Sequence, residues 1–139
     1  MQKGYDLERF VEAQAACYEQ VTSELRAGRK RSHWMWFIFP QIAGLGHSEM
    51  ARRYAISSLA EAVAYLEHPA LGPRLRECTR LMVDVKGRSI DQILGYPDDL
   101  KFRSSMTLFA RAGADEQVFR EALGKYFGGE EDPLTVERL

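Results

Sequence analysis

The sequence is poor in the features that cross-link small proteins and in those that anchor proteins in membranes. Only two cysteines, Cys17 and Cys78, occur among 139 residues, and neither lies near other Cys or His residues at a spacing typical of zinc or redox sites. No uncharged apolar run approaches the ~20 residues of a membrane-spanning helix, and the longest covers residues 34–40. We therefore expect free thiols, no metal or cofactor, and no membrane segment.

Net charge is also nearly absent. Lys and Arg total 19 against 20 Asp and Glu, which gives a formal net charge of −1. Without an overall positive field, the chain is not expected to bind nucleic acid generally, and any anion site must be local. Residues 1–6 lack the apolar stretch and cleavage site of a signal peptide, so we expect a cytoplasmic location.

Apolar residues recur at helical spacing through most of the chain. The 45% hydrophobic and 28% charged residues are typical of a globular protein. We expect a mainly α fold, a single compact helical domain over residues 1–139, because no strand signal is longer than residues 34–39. Helices are predicted over residues 6–25, 48–54, 58–67 (or from 57), 71–85, 90–94, 98–111 and 115–127. Eight side chains on their apolar faces are predicted to be buried: Phe10, Cys17, Val21, Leu75, Leu81, Leu108, Phe119 and Leu123.

Residues 25–48 contain no acidic residue, and within them residues 29–36 form what we call the basic-aromatic segment. Guanidinium and ammonium groups suit phosphate oxygens, and flat rings can stack on a base. A nucleotide is therefore the natural ligand. In the alternative interpretation, the basic cluster complements the negative end of the first helix and the aromatic side chains fill the core. The residues concerned are Arg29, Lys30, Arg31, His33, Trp34 and Trp36.

Carboxylates that could perform acid–base chemistry occur in two places. Glu8 and Glu12 lie one helical turn apart on the first helix, and Asp98 and Asp99 stand at the start of a later helix, just before Lys101. Solvated acids on a helix surface are the alternative interpretation. The three histidines are far apart in sequence, so a metal site would require the fold to gather them.

Four segments resemble a bacterial family known as domain of unknown function 1810. They are residues 7–14, 28–41, 68–75 and 95–109, which together extend over most of the chain. The resemblance implies a mainly helical fold and assigns no activity. Some members are labelled calpastatin, but no residue of this sequence indicates protease inhibition.

Residues 8–14 also look like a helix of the NADAR superfamily, which acts on ADP-ribose-type N-glycosides, and the order of elements over residues 75–109 is similar. This resemblance implies a NADAR-like α(+β) fold. It matches Glu8 with the helix glutamate and Asp98 or Asp99 with the loop aspartate of that superfamily. Ala15 stands where the superfamily has a lysine, which puts catalysis of that type in doubt.

Together these observations predict a pocket between the first helix, residues 29–39 and residues 98–105 that binds an ADP-ribose- or NAD-type nucleotide. If the protein is an N-glycosidase-type hydrolase, Glu8 and Asp99 would be catalytic and would stabilise the positive charge developing on the ribose. The alternative is a non-catalytic module that binds a protein or another ligand. The predicted substrate-binding residues are Arg29, Lys30, Arg31, His33, Trp34, Trp36, Asp98 and Lys101.

Overall fold

The computed structural model describes residues 5–113 and 115–139, and the chain is mainly helical in this part. The only strand-like pairing within it is an isolated parallel bridge between Ile42 and Ile56. The mainly α prediction is therefore confirmed. The helices are α1 (Glu8–Ala15), α2 (Tyr18–Arg26), α3 (Met35–Ile38), α4 (Glu49–Arg53), α5 (Leu59–Glu67), α6 (Leu71–Asp84), α7 (Ile90–Leu94), α8 (Asp98–Ala112), α9 (Val118–Phe127) and α10 (Pro133–Val136).

The long first helix predicted over residues 6–25 is in fact two helices. Cys17, with φ −142° and ψ 9°, leaves the helical conformation and separates α1 from α2. The break has a packing reason, since α1 packs against α3 whereas α2 packs against α6. The predicted end of α2 is confirmed, because Gly28 follows with φ +71°, a conformation that strains other residues.

Serine side chains begin three helices as predicted. The hydroxyls of Ser48, Ser58 and Ser89 each accept the backbone N–H three residues later, over 3.0–3.2 Å. The predicted start of α9 is wrong, because the residue before the helix is Gln117 rather than Asp115. Gly128 ends α9 in the left-handed conformation, as its position in the sequence predicts.

The core lies where α5, α6, α8 and α9 pack together. Helix α8 is central to it, because Phe102 and residues 104–110 are all buried. The aromatic run over residues 34–39 forms the short helix α3 and its flanks instead of a strand, and Phe39 packs edge-on against Phe102. Of the eight side chains predicted to be buried, six are, whereas Cys17 and Leu81 are only half-buried.

No helix in the described residues is long and apolar enough to cross a bilayer. The expectations about residues 1–4 lie outside the described part of the chain.

Substitution of Phe119 with Ala should lower the free energy of unfolding by about 3–5 kcal/mol, because its ring is fully buried beside Phe109. Leu81→Ala serves as the comparison and should cost only about 1–2 kcal/mol, because Leu81 is half-buried. Denaturant titration of both variants measures the difference. Equal losses would contradict the burial described here.

Candidate functional site

A buried carboxylate fixes the start of the basic-aromatic segment. Glu24, near the end of α2, is 7% exposed and accepts the backbone N–H of Arg31 over 2.7 Å and that of Ser32 over 3.1 Å. The Ser32 hydroxyl also donates to Glu24, and the Trp34 indole donates to it over 2.9 Å. Burial raises the pKa of Glu24, but these hydrogen bonds outweigh burial and lower the pKa to about 2.

This arrangement gives Trp34 a packing role. Its side chain is 1% exposed and its indole N–H is already used by Glu24. A ligand ring cannot stack on a face that the core covers, so we remove Trp34 from the candidate site. The core-filling alternative applies to this tryptophan, whereas Trp36 is half-exposed.

The basic-aromatic segment meets the start of α8 through two lysines and one aspartate. Asp98 pairs with Lys30 at 3.0 Å and with Lys101 at 3.6 Å. The Lys101 ammonium lies 5.6 Å from the centroid of the Trp36 ring, within the range of a cation–π contact. Since two cations share one carboxylate, this cluster carries a surplus positive charge next to an accessible aromatic ring.

Trp36 lines a small pocket of about 130 Å³, which we call the Trp36 pocket. Its other walls include Tyr54, Gln41, Arg52 and small residues that leave room for a flat group. Within the described residues, Gln41 and Arg52 have no side-chain hydrogen bond or ion pair, so their donors and acceptors can serve a ligand. The small residues are Ala43, Gly44, Gly46, Ala51 and Ala55.

The Ile42–Ile56 bridge holds this pocket together. Ala43 donates its backbone N–H to Ile56, and Ile56 donates to Gln41, each over 2.8 Å. The two chain segments that line the pocket on either side of α4 are therefore joined directly by backbone hydrogen bonds. A Cβ atom at Gly46 would lie 2.6 Å from that of Ala51, so this close approach of loop and helix requires glycine.

A second cavity of about 300 Å³ adjoins the Trp36 pocket, and we call it the Leu134 cavity. Gln41 and Gly46 line both spaces. The cavity's polar groups include Lys101, Arg103, Ser104 and Asp132, and its apolar walls come from Leu45, Pro97, Leu100 and Leu134.

Glu8 lines a third, open depression, together with Glu12, Arg9 and Arg53. Tyr54 is shared between this depression and the Trp36 pocket. The carboxylate of Glu8 is exposed and is not part of the Lys30–Asp98–Lys101 cluster. The predicted convergence of Glu8 with residues 98–101 therefore stays a prediction.

The remaining predicted residues fall into two groups. Asp99 uses its carboxylate to accept the adjacent backbone N–H of Leu100 over 2.9 Å, a local contact at the start of α8. The other group is exposed on the surface of the basic-aromatic segment and consists of Arg29, Arg31 and His33.

The helix that carries Glu8 has a clear structural role through two of its other residues. The Arg9 guanidinium donates to the backbone carbonyls of residues 53 and 55, over 2.8 and 2.7 Å, and so ties α1 to the end of α4. The buried Gln14 amide donates to the carbonyl of Phe37 over 2.7 Å. The sequence motif over residues 7–14 is therefore explained in large part by how α1 joins its neighbours.

His68 and Cys78 have structural roles. His68 accepts the backbone N–H groups of Ala70 and Leu71 and so caps α6. No three His, Cys, Asp or Glu side chains in residues 5–113 and 115–139 lie together in a way that could hold a metal ion. Burial raises the pKa of the Cys78 thiol to about 12, which keeps it protonated and unreactive.

Trp36 is the one residue of its pocket that is among the sequence-predicted site residues, and three polar or aromatic residues of the pocket are not. They are Gln41, Arg52 and Tyr54. Gln41 ends the segment 28–41 and could have been included on that ground. The other two belong to α4 and its end, which carried no signal beyond an ordinary short helix with a serine cap.

Comparison with known proteins relates the chain to a protein family and to a solved structure. The model of the family described as "Protein of unknown function (DUF1810)" matches residues 4–139. The crystal structure of the conserved hypothetical protein Rv1873 from Mycobacterium tuberculosis is 63% identical and has a TM-score of 0.96. The match covers 97% of this chain and 96% of that one. No curated protein matches the chain.

Replacing Glu24 with Gln should lower the free energy of unfolding at pH 7 by about 3 kcal/mol. This value follows from the lowering of the Glu24 pKa from 4.5 to about 2, since each pKa unit corresponds to ~1.36 kcal/mol. The folded-state pKa is the lower one. The carboxylate's contribution is therefore complete above about pH 4.5 and is lost as the pH falls towards 2.

Thermal or urea unfolding of both proteins between pH 3 and pH 7 measures this, and the difference in their free energies of unfolding should narrow as the pH falls. Glu19→Gln, an exposed position at the start of the same helix, is the matched control and should cost little. A gap that stays constant with pH would show that the Glu24 charge does not stabilise the fold.

Proposed function

The chain belongs to the DUF1810 family of proteins of unknown function, and we propose that it binds a nucleotide of the ADP-ribose or NAD type in the Trp36 pocket. One observation carries the proposal. The half-exposed Trp36 lines the same small pocket as Gln41 and Arg52, whose side chains have no hydrogen bond or ion pair within the described residues. Flat walls with a few polar groups of this kind suit a heteroaromatic base.

The charges around the pocket support an anionic ligand. The Lys30–Asp98–Lys101 cluster has a net charge of one positive unit, since two ammonium groups flank one carboxylate. Its Lys101 ammonium already contacts the Trp36 ring. A base stacked on Trp36 would therefore place its phosphates beside a cation, and the exposed Arg29 and Arg31 add positive charge on the same segment.

Hydrolysis is a separate step from binding. Glu8 is the carboxylate that would stabilise a developing positive charge on ribose, and Tyr54 joins its depression to the Trp36 pocket. The ribose of a bound nucleotide would have to lie across Tyr54 to meet Glu8. Such nucleotides are cytoplasmic metabolites, and we place the protein's action in the cytoplasm on that ground.

Isothermal titration calorimetry with AMP, ADP-ribose and NAD tests the proposal. The wild-type protein should bind at least one of them. In thermal unfolding, a ligand at about 100 times its Kd should raise the free energy of unfolding by about 2.7 kcal/mol. Arg52→Ala and Trp36→Ala should each weaken binding tenfold or more, because they remove the uncommitted cation and the stacking ring.

Arg26→Ala is the matched control for Arg52→Ala, because Arg26 is also exposed at the end of a helix but lines none of the spaces described here. It should leave affinity unchanged. Glu8→Gln separates binding from turnover, since it should preserve affinity and abolish release of the base. The proposal fails if none of the three nucleotides binds to the folded wild-type protein.

A further inference from the structure

In the proposed function the Trp36 pocket holds one base, and the Leu134 cavity adjoins this pocket. We propose that the Leu134 cavity holds a second nucleoside, so that the ligand is a dinucleotide whose diphosphate lies at Lys101. This inference rests on the proposed nucleotide function and narrows the ligand from the ADP-ribose or NAD type to nucleotides with two nucleosides.

Continuity of the two spaces is the first argument. Gln41 and Gly46 line both the Trp36 pocket and the Leu134 cavity. Lys101 lines the cavity and also places its ammonium 5.6 Å from the centroid of the Trp36 ring. This cation therefore stands at the junction, where a diphosphate linking two nucleosides would pass.

The charges inside the Leu134 cavity provide the second argument. Arg103 is already engaged, since it donates to the backbone carbonyls of Glu130 and Glu131 over 3.1 and 2.9 Å. Asp132 accepts hydrogen bonds from Ser104 and from the Thr135 hydroxyl, over 2.8 and 2.6 Å. Apart from Lys101 at the junction, the described part of the cavity presents a held carboxylate and no free guanidinium, which disfavours a phosphate deeper in the cavity and favours a group with hydroxyl or amino donors.

Size and exposed apolar surface provide the third argument. The Leu134 cavity, at about 300 Å³, is larger than the Trp36 pocket, at about 130 Å³. Leu100 and Leu134 line it and remain 49% and 59% exposed. A ring or a ribose carbon face laid against them would bury apolar surface that is otherwise hydrated, and ~50 Å² buried in this way corresponds to about a tenfold gain in affinity.

Calorimetric comparison of AMP with NAD tests the inference in the intact protein. Wild-type protein should bind NAD at least tenfold more tightly than AMP. Leu134→Ala should remove most of that advantage while leaving the AMP affinity unchanged, and Leu100→Ala should act in the same direction. Leu59→Ala is the matched control, because Leu59 is also an exposed leucine, at 38%, but lines none of these spaces.

The outcomes separate this inference from the proposed function. Equal affinities for AMP and NAD in the wild-type protein would overturn the second nucleoside and leave the Trp36 pocket standing. The same conclusion follows if Leu134→Ala and Leu100→Ala both leave the NAD affinity unchanged. Failure of both nucleotides to bind would overturn the nucleotide function itself.

Discussion

The carboxylate of Glu24 is the constraint on which the geometry of the candidate site depends. It accepts hydrogen bonds from two backbone N–H groups, a hydroxyl and an indole N–H of residues 31–34. Separating these residues from α2 would therefore leave a buried charge without partners. Lys30 enters the turn and pairs with Asp98 at the start of α8, and Trp36 follows it. The site is thus assembled by a polar contact that no ligand would touch.

Local signals predicted the helices well, because serine caps and glycine ends act within a few residues. Ser58 and Ser89 are the clearest cases. The break at Cys17 could not be predicted in this way, since it arises because α1 and α2 pack against different partners. The apolar run over residues 34–39 was ambiguous for another reason: five of its six residues are buried, so no alternation of apolar and polar residues identifies a helix.

The candidate site was only partly predictable. Local composition drew attention to the basic-aromatic segment and to Lys101, and the fold brings Lys30, Asp98 and Lys101 together. The acid that organises this segment is Glu24, which lies one residue before the acid-free stretch, so local composition gave no sign of the contact. Tertiary packing alone decides that Trp34 is buried whereas Trp36 is accessible, and that α4 contributes Arg52 to the pocket.

Part of the candidate site lies on α8, the helix that we expect to be the last to open in the folded protein. Its first turn carries Asp98 and Lys101, and Phe102 and residues 104–110 behind that turn are all buried among α5, α9 and neighbouring helices. Amide hydrogens in such a helix exchange with solvent only when a large part of the protein opens. The cation at the junction of the two cavities is therefore attached to the element that should open last, so its position would persist while surface loops open and close around it.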